Sequence, residues 1–380
     1  MLCIYTMKKT SFCLLLINLI LTACSVTKGP LYAEGEIAGE PVRANMDSEI
    51  AKYALAASEE EPALLRQRRL SLMTQFEGVP DPLQLQNLVS QGSTDFASIV
   101  YAQALLNQPN NRRWQNESFK LSRTLNSDLS KAHIRKVFEK HHALLIPGWH
   151  WKTRTDTGAD LSFQRKVLAS YGLQSTLIET NEHGSVEDNG KLISDAINNA
   201  KALDKSIVLI SVSKGGADTL YALGAVLSEQ QTQHVKGWLN IGGIIAGSTL
   251  IDNEQARPEQ WLRSIGFSPE TPLDAILSLD TKTAKARLSE LKLPRDVVIV
   301  NYAALPFASD LSQHAEYSFN SLAKFGPNDG AALIHEMLVP DKTTVLEIGL
   351  DHFMRSLRAM YRALALLTLI MECEEKDLCV

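Results

Sequence analysis

The stretch Ser206-Ile-Val-Leu-Ile-Ser-Val-Ser-Lys-Gly-Gly216 is a continuous aliphatic run that ends in a turn of small residues. Such a run is typical of a buried parallel strand that enters a sharp corner. The next residues place Leu220, Leu223 and Leu227 at helical spacing. The sequence therefore predicts a strand, a tight turn and a helix that meet at Ser213.

A serine at such a corner is well placed to act as a nucleophile, because the turn lifts its hydroxyl clear of the sheet at a helix N-terminus. The segment resembles the nucleophile elbow of α/β-hydrolases, Gly-x-Ser-x-Gly. Gly215 occupies the last position of that pattern, and Ser211 stands where the first glycine usually lies. Taken alone, the stretch is also compatible with an ordinary strand that ends in a Ser/Gly turn.

Strand and helix patterns alternate from residue 141 onward, and this alternation predicts an α/β fold with a doubly wound, mainly parallel sheet of about six strands. An α/β-hydrolase domain over residues 140–380 fits this count by resemblance. With 380 residues, of which 45% are hydrophobic and 21% charged, the chain has the composition of a globular protein with a large core. The predicted strands are 141–149, 172–179, 206–211, 235–242, 296–302 and 343–349.

A serine hydroxyl is a weak nucleophile that needs a base and a group to orient that base. In α/β-hydrolases the acid and then the histidine follow the serine along the chain. His352 directly follows the last predicted strand, so we expect it to be the base. Asp329 lies in Phe325-Gly-Pro-Asn-Asp-Gly330, which resembles the acid loop of lipases, and the resemblance implies that it is the acid. Asp310, nearer the preceding strand, is the alternative.

The resemblance also implies an oxyanion hole formed by two backbone amides, those of Trp149 and Lys214. The segment Pro147-Gly148-Trp149 is similar to the His-Gly-x turn of lipases, and its glycine permits close approach of the backbone. A simple turn at the end of a strand is the other interpretation of this short motif.

The triad and the elbow together imply hydrolysis of carboxylic esters through an acyl-enzyme, with an apolar acyl ester or lipid as substrate. An acyltransferase or a thioesterase could use the same triad, and a non-catalytic surface lipoprotein could use the fold for binding. The mildly acidic net charge of −5 disfavours nucleic acid as a partner. No cofactor is required, and neither a nucleotide-binding glycine loop nor a metal motif such as His-Glu-x-x-His is present.

Residues 7–24 combine two lysines, a short apolar run and the ending Leu21-Thr-Ala-Cys24. They resemble a bacterial lipoprotein signal with its lipobox. A membrane-spanning helix is the alternative, but the run is shorter than the roughly 20 residues that a bilayer requires. The resemblance implies that residues 1–23 are removed, that Cys24 is lipidated, and that the protein is anchored in the bacterial cell envelope. Ser25 is compatible with sorting to the outer membrane.

The remaining segments have weaker patterns. Residues 24–45 are rich in small and polar residues and are expected to form a tether, and residues 46–139 to form a helical region of structural role. A cap or lid is expected within 250–295, although a plain crossover helix is the alternative. Near the C-terminus we expect a helix that covers the sheet over 354–371. Cys373 and Cys379 could form a disulfide in an oxidising compartment, whereas the pair is poorly suited to zinc.

Overall fold

The computed structural model describes residues 31–254, 272–376, 378 and 379. None of the helices in these ranges is long and apolar enough to cross a membrane. The strands are β1 (Leu31–Ile37), β2 (Glu40–Met46), β3 (His141–Ile146), β4 (Gln174–Leu177), β5 (Ser206–Val212), β6 (Val235–Ile241), β7 (Val298–Leu305) and β8 (Thr343–Ile348). The helices are α1 (Glu49–Leu55), α2 (Ala63–Met73), α3 (Pro82–Gln91), α4 (Thr94–Leu106), α5 (Pro109–Thr124), α6 (Asp128–Phe138), α7 (Ser162–Ser170), α8 (Val186–Ala200), α9 (Lys214–Tyr221), α10 (Glu229–Thr232), α11 (Thr249–Glu254), α12 (Leu273–Leu277), α13 (Thr281–Glu290), α14 (Glu316–Leu322) and α15 (Leu357–Met371).

Strands β3 to β8 form one parallel sheet in the order β4-β3-β5-β6-β7-β8. All six coincide with the strands predicted from apolar runs, so the predicted fold class is confirmed. The chain runs from β3 outward to β4 and then returns to build the other side of the sheet from β5. This reversal creates a crevice at the carboxyl ends of β3 and β5, where ligands bind in open α/β sheets.

Both faces of the sheet are buried, and β5 shows how the alternation of its side chains achieves this. Ile207 and Leu209 pack on one side in a cluster with residues of α8 and α9. Val208 and Ile210 pack on the opposite side with residues of α6, α7 and α15. Because both faces are covered, Ile207 to Ile210 form a continuous apolar run without polar alternation. Helix α15 covers the sheet as expected for the C-terminal segment.

The tether prediction is wrong for residues 31–45, which form most of an antiparallel hairpin. Strands β1 and β2 pair with Ile37 opposite Glu40, and Ala38 and Gly39 both have positive φ in the turn between them. The hairpin is stabilised because Ile37 is buried in the core and the Glu40 carboxylate accepts two hydrogen bonds from the buried Arg362 guanidinium, at 2.9 and 2.7 Å. These partners are distant in the chain, so the small and polar composition of the segment concealed the strands.

Among the helices that precede β3, α4 packs directly on the β7–β8 edge of the sheet. Phe96 and Ile99 of α4 share a buried cluster with Leu305 of β7 and Leu346 of β8. The two parts of the chain on either side of the domain boundary expected between residues 139 and 140 therefore share one apolar cluster.

Several expectations concern residues at the limits of the described ranges. Cys373 and Cys379 form a disulfide. The expected signal sequence and residues 24–30 of the expected tether, which include Cys24, lie outside the described residues. Of the expected lid, residues 255–271 also lie outside them, while α11, α12 and α13 flank that gap.

Candidate active site

The corner predicted at Ser213 joins β5 to α9. Ser213 has φ 53° and ψ −127°, in a region that residues other than glycine rarely adopt. Its neighbours must be small: a Cβ at Gly215 would lie 2.5 Å from the Pro147 carbonyl oxygen, and one at Gly216 would lie 2.6 Å from Asn240 Oδ1. The sequence thus supplies small residues where the sharp turn leaves no room for a side chain.

Ser211, which departs from the usual glycine of the elbow pattern, has a structural role. Its hydroxyl accepts a hydrogen bond of 2.8 Å from the indole nitrogen of Trp238, and both side chains are fully buried. A glycine would leave that buried indole N–H without this acceptor, at a cost of about 1–3 kcal/mol. The departure therefore reflects packing within the sheet.

His352 lies in the loop after β8 and contacts both of the residues proposed with it from sequence. Its Nε2 lies 3.0 Å from Ser213 Oγ, and its Nδ1 lies 2.5 Å from Asp329 Oδ2. Since an ionised carboxylate only accepts hydrogen bonds, the imidazole carries its proton on Nδ1 and presents the Nε2 lone pair to the serine. The carboxylate of Asp310, the alternative acid, accepts instead from the Phe307 amide at 3.2 Å.

The Asp329 carboxylate is fixed from two sides. Oδ1 accepts the amides of Ala331 at 2.8 Å and Ala332 at 3.1 Å, and Oδ2 is left for the histidine. The backbone joins the two loops as well, because the His352 amide donates to the Asp329 carbonyl oxygen at 2.8 Å. Asp329 is fully buried, so its position is set entirely by protein groups.

Two opposing effects act on the His352 imidazole. Burial disfavours the charged form, but the Asp329 charge and its hydrogen bond outweigh it, so the pKa of His352 is raised above its ordinary value. A raised pKa makes the imidazole a stronger proton acceptor, which favours removal of a proton from Ser213.

The residues expected to supply the oxyanion amides lie on either side of Ser213. A Cβ at Gly148 would lie 3.3 Å from Ser213 Cβ, so the backbone before Trp149 passes close to the serine. Lys214 is the first residue of α9, and an amide at that position has no acceptor within its own helix. Trp149 also lines the cavity in front of Ser213.

The side chain of Lys214 forms an ion pair that was not predicted from the sequence. Its Nζ lies 2.6 and 2.9 Å from the two oxygens of Asp218, whose Oδ2 also accepts from Asn189 at 3.0 Å. All three side chains are buried. Burial raises the pKa of Asp218, against the opposing effect of the lysine charge. The four-residue spacing in α9 was the available signal for this pair.

A cavity of about 830 Å³ opens in front of Ser213 and His352. Its walls include apolar side chains from the sheet, from α7 and from α15, namely Leu168, Ile210, Leu239, Ile241, Met360 and Leu367. This volume falls within the range of small-molecule sites. The apolar part of the wall suits an aliphatic ligand, while polar and charged side chains such as Arg154, Asp156 and Arg355 line the rest of the cavity.

No protein-family model and no curated protein matches the chain. Among solved structures, the chain is similar to a metagenomic carboxyl esterase, with a TM-score of 0.51, 22% identity, and coverage of 63% of this chain and 76% of that one. It is also similar to the mature form of a Bacillus licheniformis lipase, with a TM-score of 0.51, 20% identity, and coverage of 64% and 93%. At these identities the likeness shows the fold, which is that of the α/β-hydrolases.

Proposed function

We propose that the chain is a serine hydrolase that cleaves carboxylic esters through an acyl-enzyme intermediate. The observation that carries the proposal is the continuous hydrogen-bonded series Ser213–His352–Asp329 at the mouth of an apolar cavity. Each group occupies the position that its role requires: a nucleophile on a strained turn, a base within reach of its hydroxyl, and a buried acid that orients the base.

In the proposed reaction, His352 Nε2 accepts the hydroxyl proton while Ser213 Oγ attacks the ester carbonyl carbon. The imidazolium formed is stabilised by Asp329, and the amides of Trp149 and Lys214 donate to the developing oxyanion. His352 then gives its proton to the leaving alcohol oxygen, which departs and leaves the acyl group on Ser213. Water attacks the acyl-enzyme by the same route, releases the acid and restores the serine.

The substrate proposed is an ester with an apolar acyl chain, such as a lipid. The apolar cavity walls support this class, because burial of each methylene contributes about 0.8 kcal/mol to binding. The two similar solved structures are a carboxyl esterase and a lipase, which is consistent with this choice.

A fluorophosphonate probe tests the proposal because it labels only an activated serine. We expect labelling of the wild type and turnover of p-nitrophenyl butyrate, and loss of both in Ser213→Ala. Ser170→Ala removes an exposed serine from the outer surface of α7 and is the matched control, with unchanged labelling. His352→Ala should lose nearly as much turnover as Ser213→Ala, and the double variant should be little worse. Full esterase activity in a folded Ser213→Ala protein would refute the function.

We also propose that the protein is a lipoprotein of the bacterial cell envelope, anchored through Cys24. The support is the lipobox-like sequence alone. In the Cys24→Ser variant we expect the protein to move from the detergent phase to the aqueous phase on temperature-induced phase separation. Unchanged partitioning would show that another segment anchors it.

A further inference from the structure

Three potential metal ligands meet in the crevice beside Trp149. His150 lies in the loop that follows β3, and Glu182 and His183 lie in the loop that follows β4. One ligand atom from each side chain can be chosen so that all three lie within 4.8 Å of one another. The two imidazole rings are 5.2 Å apart between centroids and steeply inclined. The fold thus brings His150 close to Glu182 and His183, which lie 32 and 33 positions later in the chain.

The Glu182 carboxylate is already held in one orientation. Its Oε2 accepts the amides of Lys152 at 3.1 Å and Thr153 at 3.0 Å, together with the Thr153 hydroxyl at 3.1 Å. Its other oxygen, Oε1, lies 3.7 Å from His183 Nε2. Hydrogen bonds that orient a ligating carboxylate are a regular feature of protein metal sites.

The distances suit a small divalent ion. Ligands bound tetrahedrally at about 2.0–2.1 Å from zinc are about 3.3 Å from one another. The gap of 3.7 Å between Glu182 Oε1 and His183 Nε2 is close to this value, and the largest separation in the cluster requires only side-chain adjustments on the order of 1 Å. Two imidazoles with one carboxylate is an established zinc-binding set, in which solvent provides the remaining ligand.

The loops that carry the ligands are also ordered by other contacts. The Trp151 indole donates to the Thr180 carbonyl oxygen at 3.1 Å and so joins the first loop to the second. Within the second loop, the His183 amide donates to Asn181 Oδ1 at 3.0 Å. The ligand positions are therefore fixed largely by the fold, and an ion would bind without ordering a long segment.

We propose that His150, Glu182 and His183 bind a divalent transition-metal ion, with zinc as the ion best matched to the ligands. The ion would join the loops after β3 and β4 and restrain the backbone at Trp149, which immediately precedes the ligand His150. It takes no part in the ester chemistry. Binding itself is independent of the proposed function, whereas an effect on turnover rests on that function.

The test uses the untagged full chain, stripped with a chelator and titrated with Zn²⁺ alone in competition with a chromophoric chelator. We expect about one zinc ion per chain and a higher melting temperature in the presence of zinc. Loss of a ligand should weaken binding by about 100-fold or more, given that even outer-shell substitutions weaken it by about 10–100-fold.

Two variants keep the test independent of folding defects. His183 is partly exposed, so His183→Ala removes a ligand with little loss of packing. Glu182→Gln keeps one oxygen for the three donors and places an amide nitrogen, which is a poor ligand, toward the imidazoles. His133→Ala removes a surface histidine outside the cluster and should bind zinc as the wild type does.

Ser213→Ala separates this proposal from the proposed function. If that variant binds zinc normally, the metal site stands whether or not the protein hydrolyses esters. Substoichiometric zinc in the wild type, or equal zinc affinity in the wild type, His183→Ala and Glu182→Gln, would overturn the site.

Discussion

Replacing Asp329 with asparagine should trap His352 in the wrong tautomer, and the hydrogen bonds of the carboxylate show why. Asp329 Oδ1 accepts two amides, from Ala331 and Ala332, while Oδ2 accepts one imidazole N–H. The asparagine oxygen should therefore keep the two amides, because the opposite orientation would set its NH₂ group against two N–H donors. The NH₂ group then faces His352 Nδ1, which must give up its proton to accept.

The consequence for catalysis is large because the proton moves to the other ring nitrogen. With Nδ1 deprotonated, Nε2 carries the proton and cannot accept one from Ser213, which lies 3.0 Å away. Imposing this tautomer on a serine-histidine-acid triad reduces kcat by about ten-thousand-fold, or about 5 kcal/mol in activation free energy. We expect a loss of that order, smaller than the loss in Ser213→Ala.

The assay is kcat for p-nitrophenyl butyrate, measured together with the melting temperature and the rate of fluorophosphonate labelling. The fold should persist, since the asparagine satisfies both backbone amides. Asp310→Asn is the matched control. The Asp310 carboxylate also accepts a backbone amide, that of Phe307, but it does not form a hydrogen bond with His352. The reasoning fails if folded Asp329→Asn retains a tenth or so of wild-type kcat, or if Asp310→Asn is the inactive variant.

Three further predictions concern pH and stability. Because the pKa of His352 is raised, kcat/KM should fall on acidification with a midpoint above about 6.5, the ordinary value for histidine, as a pH profile would show. Burial, and then the Asp47 charge, raises the pKa of Asp95 to about 7. The contribution of Asp95 to the free energy of unfolding is therefore full below about pH 4 and is lost as the pH rises through about 7. In urea unfolding, the free energy of unfolding of Asp95→Asn should change less between about pH 5 and about pH 8 than that of the wild type. Glu40→Ala leaves the buried Arg362 guanidinium without its Glu40 partner and should lower the free energy of unfolding by about 3–5 kcal/mol. As the control, Glu36→Ala on the exposed side of the hairpin should change the free energy of unfolding by less than about 0.5 kcal/mol.

The sheet could be predicted from the sequence because its strands are buried on both faces and appear as uninterrupted apolar runs. The same runs located Ser213 and His352, since each directly follows a strand and must lie at its carboxyl end. Chain order could not decide between Asp329 and Asp310, because both lie between β7 and β8. The choice depends on how the long loop folds back, and the structure brings Asp329 to the imidazole.

Features that depend on distant partners were missed. The β1–β2 hairpin is held by the bond from Arg362 to Glu40, and Ser211 takes its role from Trp238, one strand away. The sequence contains no metal motif such as His-Glu-x-x-His, yet the loops after β3 and β4 bring His150 to Glu182 and His183. In each case the decisive neighbour is set by the sheet order, which local sequence patterns do not specify.

The N-terminal helices contribute to the site through the acid, although they carry none of the proposed catalytic groups. Asp95 of α4 accepts the amide of Ala308 at 2.9 Å, at the start of the connection that leads from β7 to Asp329. Further along the same connection, the Ala323 carbonyl oxygen accepts the Thr94 hydroxyl at 3.5 Å. The connection is therefore held at two points by α4, which is itself packed on β7 and β8. Because Asp329 is hydrogen-bonded to His352, these contacts stabilise the geometry of the proposed triad as well as the fold.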